Sequence, residues 1–202
     1  MDSSDLIQTD TREQPPPATA KQRMLPLLVA ALVILLDQLS KLFIESRLPL
    51  NHAWAPFPEF AHLFRFTHVS NTGAAFGLFP GGSAFFTIIA IIVAGIILFY
   101  NFSLPGGHTP LRLALGLQLG GALGNLIDRF RLGHVTDFLD FGPWPVFNLA
   151  DTSIVTGVII LGFLMLLEQQ QAVNESHNES DGGEAQRKVG NVTAQRQNEQ
   201  AT

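Results

Sequence analysis

The sequence predicts an all-α membrane protein, with four transmembrane helices running up and down between two polar tails. Three observations predict it. Apolar residues make up 47% of the 202 positions and charged residues only 14%, whereas an ordinary soluble domain is about a quarter charged. The charges are also segregated, because residues 1–23 and 168–202 hold 16 of the 29 in 58 residues while the 144 between them hold 13. Within that middle section, apolar runs recur at about the length needed to cross ~30 Å of hydrocarbon at about 1.5 Å per residue.

Residues 1–23 are polar, contain Pro15-Pro16-Pro17 and have few large apolar side chains, which predicts a disordered tail. Lys21 and Arg23 then precede a first span at 24–44, interrupted late by Asp37 and Lys41. A secretory signal would show a small-residue cleavage site after the apolar run, but Leu42, Phe43 and Ile44 continue it, so the segment stays as a membrane helix. The loop 45–82 mixes aromatics and prolines. Its alternating stretch His62-Leu63-Phe64-Arg65-Phe66-Thr67 predicts a short strand or hairpin resting on the membrane surface.

The second span, 83–101, contains no charge. The third, 111–127, carries Gly116, Gly120 and Gly124 at every fourth position, so one face is bare enough for close helix approach. A loop at 128–148 leads to the fourth span, 149–167. Beyond it, 168–202 is rich in Gln, Asn, Glu and Gly and is expected to be a second disordered tail. An even number of spans places both termini on one side. Lys21 and Arg23, with Arg112 in the loop 102–112, favour the cytoplasm for that side, against Arg47, Arg65 and Arg131 in the opposite loops.

Several chemistries are excluded. There is no cysteine for a thiol nucleophile, a thiolate metal site or a disulfide. The six histidines are scattered, and neither HExxH nor G-x-S-x-G occurs, so no metal or cofactor is expected. The net charge of -5 leaves no basic footprint for nucleic acid.

On this topology nearly every polar residue of the membrane region converges on one face. A charged side chain near hydrocarbon costs several kcal/mol unless paired or wetted, so each needs a reason. Asp37 and Lys41, four apart, can form a structural ion pair or an interfacial anchor. Asn125, Asp128 and Arg129 share one helix face; a salt bridge between Asp128 and Arg129 would explain two of them but not Asn125. Asn148 and Asp151 stand where the fourth span begins, and helix capping would explain one of the two. Asp137 and Asp140 lie in the run His134 to Phe141, with apolar neighbours around Asp137 that would raise its pKa. If two of these carboxyls meet, they share one proton and can activate water as aspartic proteases do.

Five segments, in order, resemble the signature blocks of bacterial lipoprotein signal peptidase, also called signal peptidase II. They are Asp37 to Lys41, Asn71-Thr72-Gly73-Ala74-Ala75-Phe76-Gly77, Gly121 to Arg129, Gly133 to Phe138, and Phe147 to Asp151. The resemblance covers about residues 25–167. It implies an intramembrane aspartic endopeptidase of the bacterial inner membrane that removes the signal peptide from diacylglyceryl-modified prolipoproteins, cutting before the lipidated cysteine. It places Asp137 and Asp151 as the catalytic dyad, with Asp37, Lys41, Asn71, Gly73, Asn125, Asp128, Arg129 and Asn148 supporting the site or contacting substrate. It also implies a small periplasmic β-cradle between helices 1 and 2, a monomer in contact with membrane lipid, an active site toward the periplasm, and inhibition by globomycin-type cyclic peptides. Spans 2 and 3, with their glycines, would form the wall against which a signal helix docks.

Two other classes fit the residues less well. An ion transporter would use the polar cluster as a path, but such sites usually lie near mid-membrane, where spans 2 and 4 have no charge. A structural adaptor would use the acids only to cap and pair.

Overall fold

A computed structural model describes residues 16–73 and 82–199. Helix α1 is Ala20–Arg47, strand β1 Ala53–Trp54, and strand β2 Arg65–Asn71, with a 3-10 turn at Pro58–Phe60 between the strands. Helix α2 is Ser83–Ser103, α3 Thr109–Leu132, strand β3 Val135–Asp140 and helix α4 Leu149–Glu199. The chain divides into two compact units, one ending at Ile159 and one beginning at Ile160; the second consists of the later part of α4 and the residues after it.

Each helix is longer than its predicted span, because caps and interfacial residues extend it past the apolar run. The first begins at a capping box, in which the Thr19 hydroxyl accepts from the Gln22 amide and the Gln22 side chain accepts from the Thr19 amide. Helix α3 ends at Gly133, whose left-handed φ of 77° turns the chain directly into β3. The largest departure is at the C-terminus. Residues after 167, expected to be disordered, continue α4 as helix to Glu199. Helical hydrogen bonds are local, and the many Gln and Glu residues of this segment are good helix formers, so it can form them without a core to bury. At the other end, residues 16–19 are irregular and 1–15 lie outside the described residues.

Among the described residues, three helices are long and apolar enough to cross a membrane: Ala20–Arg47, Ser83–Ser103 and Leu149–Asn174. Their large side chains face outward, among them Leu32, Leu35 and Leu36 of α1, Ile88, Ile92 and Ile96 of α2, and Val155, Val158 and Ile159 of α4. The buried set instead includes Asp37, Lys41, Asn101, Arg112, Asn125, Asp128 and Asn148. Apolar outside and polar inside is the inverse of a water-soluble domain, and it suits a lipid surround.

Helix α3 is not among the three, because it is the central helix and carries the polar residues. Its glycines decide what it touches. A Cβ at Gly116 would strike Pro26 and Val29, one at Gly120 would strike Val33, and one at Gly124 would strike the Asp37 carboxylate. The glycine face is therefore occupied by α1, running parallel to α3, and cannot be the wall for a docked signal helix that the sequence suggested. Gly121 packs on Ala150, and Gly157 of α4 packs on Ala114, so α4 runs antiparallel along another side of α3.

The sheet is antiparallel with order β1-β2-β3. The expected strand at 62–67 is present but shifted toward the C-terminus. Its pairing places Asn71 opposite Val135, Val69 opposite Asp137, and Arg65 opposite Asp140, with an irregularity between Phe66 and Val69. The cradle is consequently not built only between the first two helices, since β3 comes from the segment between α3 and α4 that was expected to be loop.

Arg112 also differs from expectation. It lies in the first turn of α3, fully buried, where Nη1 donates to the Asn101 carbonyl and side chain at 3.1 and 2.7 Å, and Nη2 to the Leu104 and Pro105 carbonyls at 3.1 and 3.0 Å. It satisfies the carbonyls at the end of α2, so it is no loop cation available to headgroups.

Candidate active site

The turn from α3 through β3 into α4 brings the signature residues together. Asp137 projects from β3, paired to β2, and Asp151 from the first turn of α4. Asn148, just before that helix, contacts both acids. Its Nδ2 donates to Asp137 Oδ1 at 2.7 Å, its backbone amide donates to Asp151 Oδ2 at 3.2 Å, and its Oδ1 accepts from the Asp151 amide at 2.9 Å. The last bond is the expected helix cap. The first is more than a cap requires.

Two further asparagines complete the frame. Asn71, at the end of β2, donates to Asp137 Oδ2 at 2.9 Å, and its own Oδ1 accepts from the Gly73 amide at 3.0 Å. Asn125 of α3 donates to Asp151 Oδ1 at 2.7 Å. Its Oδ1 accepts from Lys41 Nζ at 2.9 Å and from Asn148 Nδ2 at 3.1 Å, so the amide is fixed in one orientation. Each acid is thus held by asparagines from separate elements.

Beneath lies a buried ionic layer. Lys41 Nζ is 2.8 Å from Asp37 Oδ2 and 2.7 Å from Asp128 Oδ2, with all three side chains fully inaccessible. One cation against two carboxylates would be expensive without further donors. These come from the Ala150 amide to Asp37 at 3.0 Å, the Thr136 amide to Asp128 at 3.3 Å, and Gln38 Nε2 to Asp128 at 2.9 Å. The predicted Asp37–Lys41 pair is present. The Asp128–Arg129 bridge is not: Asp128 turns inward to Lys41, while Arg129 turns the other way, its guanidinium 5.7 Å from the Phe86 ring centre and one Nη 3.4 Å from the Asn125 carbonyl.

Asp137, Asp151, Asn71, Gly73, Asn125 and Arg129 line one cavity of about 360 Å³, with Phe86, Val135 and the segment Pro145 to Phe147 as its apolar walls. Burial, reinforced by the nearby Asp151 carboxylate, pushes the Asp137 carboxyl up to about 7, although hydrogen bonds from Asn71 and Asn148 and the charge of Lys41 work against the rise. Asp140 is the contrast. Burial acts to raise its pKa, but hydrogen bonds from Thr67, Arg65 and the Gly142 amide outweigh it and hold the carboxyl below the ordinary range. Arg65 Nε and Thr67 Oγ1 approach it at 2.6 and 2.7 Å, so it ties β3 to β2 and does not open on the cavity.

All ten predicted site residues fall within this assembly, seven of them outside the ionic layer of Asp37, Lys41 and Asp128. Residues 74–77 of the second signature block lie outside the described residues. Sequence reading missed Gln38, which bridges Asp37 and Asp128, and Phe86, which carries Arg129. Gln38 was visible as a polar residue beside Asp37 in an apolar run; Phe86, in a charge-free span, gave no signal.

The family model for signal peptidase (SPase) II matches residues 29–167. The lipoprotein signal peptidase of Moorella thermoacetica is 51% identical over 141 residues, covering 70% of this chain and 92% of that protein. The one from Halothermothrix orenii is 43% identical over 148 residues, covering 73% and 98%. Two solved structures, described as a bacterial membrane enzyme determined by the in meso method at 2.3 Å and 1.9 Å, superpose with TM-scores of 0.68 and 0.65 at 29% and 30% identity. They cover 77% and 76% of this chain and 94% and 97% of theirs. The matched segment contains most of α1, all of α2 and α3, the sheet and the apolar part of α4, together with every residue of the cavity and its ionic layer: this chain belongs to the signal peptidase II family, the membrane proteases that remove lipoprotein signal peptides.

Proposed function

We propose that the protein is an aspartic endopeptidase whose dyad is Asp137 and Asp151, cleaving diacylglyceryl-modified prolipoproteins just before the lipidated cysteine. The observation that carries this is Asn148, which holds both acids of one partly apolar cavity through separate groups. Two carboxyls in such a site share a proton, and Asp137, raised to about 7, is suited to hold it near neutral pH. In the first step the ionised member takes a proton from water as the water oxygen bonds to the scissile carbonyl carbon, and the protonated member gives its proton to the carbonyl oxygen. The C–N bond then breaks as the nitrogen takes up a proton, leaving a free acid on the signal peptide and an amine on the cysteine. Arg129, directed into the cavity, is positioned to hold substrate carbonyls; Asp37, Lys41, Asn125 and Asp128 fix the acids from behind.

The membrane arrangement follows the same reading. Helix α3 runs beside α1 from Pro26 to Asp37, so where α1 crosses, α3 crosses with it as a fourth span. Four spans return both termini to one side, which the cations Lys21 and Arg23 make cytoplasmic, with the sheet and cavity at the periplasmic side of the inner membrane. There the cavity meets both water and the acyl chains of a lipidated substrate. A monomer suffices, since one chain supplies both acids, and a globomycin-type peptide would compete for the same cavity. Replacing Asp137 or Asp151 singly by Asn and following prolipoprotein conversion on a gel tests the assignment: the isosteric amide keeps the shape but cannot shuttle a proton. Full activity in either variant would refute it.

A further inference from the structure

Where α1 meets the sheet there is a second cavity, of about 420 Å³, that shares no lining residue with the first. Phe43, Ile44 and Leu48 form one side, and Trp54 of β1 and Phe66 of β2 the other. The two sheet aromatics stack with ring centres 6.0 Å apart. Arg47 completes the lining, its guanidinium 5.7 Å from the centre of the Phe43 ring. The size is that of a small-molecule pocket, but ordinary pockets place several polar groups among apolar walls. Here the lining is almost wholly apolar, and Arg47 is its one charge among the described residues.

Two features identify the occupant. The first is continuity with lipid: Leu35, Leu36, Leu39, Leu42 and Phe43 form the exposed face that α1, as a membrane-crossing helix, presents to acyl chains, and Phe43 belongs to both that face and the cavity. A chain lying along α1 runs into the cavity without leaving an apolar surface. The second is charge. Arg47 makes no ion pair among the described residues, and it stands in the last turn of α1, beside a tryptophan, at the depth where headgroups lie. Its place at a helix C-terminus suits the helix dipole, but the dipole does not account for the apolar cavity beside it.

We propose that this cavity binds a bilayer phospholipid with an anionic headgroup, one acyl chain lying between α1 and the sheet and the phosphate on Arg47, so that the lipid pins the sheet to the membrane surface. The proposal needs α1 to lie in a bilayer and does not depend on which acids carry out the chemistry.

The test uses the full chain in phosphatidylcholine liposomes containing phosphatidylglycerol with a photoactivatable group in its acyl chain, and mass spectrometry maps the adducts. They are expected to concentrate on Phe43, Ile44, Leu48, Trp54 and Phe66 over Leu28 to Leu36, and to be competed by unlabelled phosphatidylglycerol. Ser40, another lining residue, gives the blocking variant: Ser40→Trp should remove the concentration and leave labelling of Leu28 to Leu36 unchanged. Arg47→Gln should lower the preference for phosphatidylglycerol over phosphatidylcholine about fivefold, the effect of one cation near an anionic surface. Should Ser40→Trp fold poorly, Trp54 fluorescence in the Trp144→Phe protein replaces it, with acyl-brominated phosphatidylglycerol expected to quench more strongly than the phosphatidylcholine analogue. Labelling spread evenly along α1, equal quenching by the two lipids, displacement by a diacylglyceryl peptide but not by phosphatidylglycerol, or cross-linking between two copies through this face would each overturn the proposal.

Discussion

The two ends of α3 each bury charge, and they do it differently. Near its start, Arg112 is surrounded by carbonyl and amide oxygens from the end of α2, with no carboxylate bonded to it. Its partners there are groups that do not ionise, and the cluster does the work of a cap. Near its end, Asn125 and Asp128 join a network of four acids, three of them buried, and one lysine, threaded by asparagines and open to a cavity on one side. Buried charge alone is therefore a poor guide to function in this protein. What separates the ends is the presence of titratable groups next to a space that can hold a substrate.

That contrast can be broken from either end, and Lys41→Met should have the largest effect on stability. It leaves Asp37 and Asp128 buried without their cation, a loss of about 3–5 kcal/mol, visible as a large drop in the thermal midpoint in detergent. Asn148→Ala comes next and acts on chemistry. It removes the side-chain donor to Asp137 and the acceptor that caps the Asp151 amide, leaving the backbone donor to Asp151 in place, and because a hydrogen bond to a charged group is worth about 1.5–3 kcal/mol, conversion should slow by about ten- to a hundredfold while the helical spectrum is kept. Arg112→Gln should cost about 1–3 kcal/mol by leaving carbonyls of α2 unsatisfied, yet the folded fraction should convert prolipoprotein at the parent rate. A matched loss of rate there would erase the distinction between the two ends.

Stability should also depend on pH. The Asp137 carboxyl has an ordinary pKa of 3.8, raised in the fold to about 7, so the folded state holds its proton more tightly than the unfolded chain. The stability this contributes is full below about 4 and is lost as pH rises through about 7. Melting curves of the parent should therefore decline from pH 4 to 7 relative to those of Asp137→Asn, which lacks the titration. Parallel curves would contradict the raised pKa.

How much of this could be read from residues differs by the range of the interaction. Asp37 with Lys41, and Asn148 with Asp151, are four and three apart on single elements, and their contacts follow from local geometry. Asp128 misled because its neighbour Arg129 offered a pairing, whereas its true partner lies in α1, a parallel helix brought close by Gly120 and Gly124. The glycines announced a close approach without saying to which helix. Strand β3 was invisible because Val-Thr-Asp-Phe-Leu-Asp has two acids in six residues and forms a strand only through its pairing with β2. Its acids then divide by surroundings: Asp140 has Arg65 and Thr67, Asp137 has only asparagines. No local pattern distinguishes them. The resemblance separates them only in that Asp137 falls inside the block Gly133 to Phe138 and Asp140 outside it.

The central claim is that Asp137 and Asp151 act as one proton-sharing unit. The most direct measurement compares initial rates of lipidated prolipoprotein cleavage by Asp137→Asn, Asp151→Asn and the double variant, each shown to be folded. Residues that act as a unit are not additive, so the account predicts that each single variant is as inactive as the double. A single variant that keeps the parent rate, or two partial losses that multiply in the double variant, would contradict it.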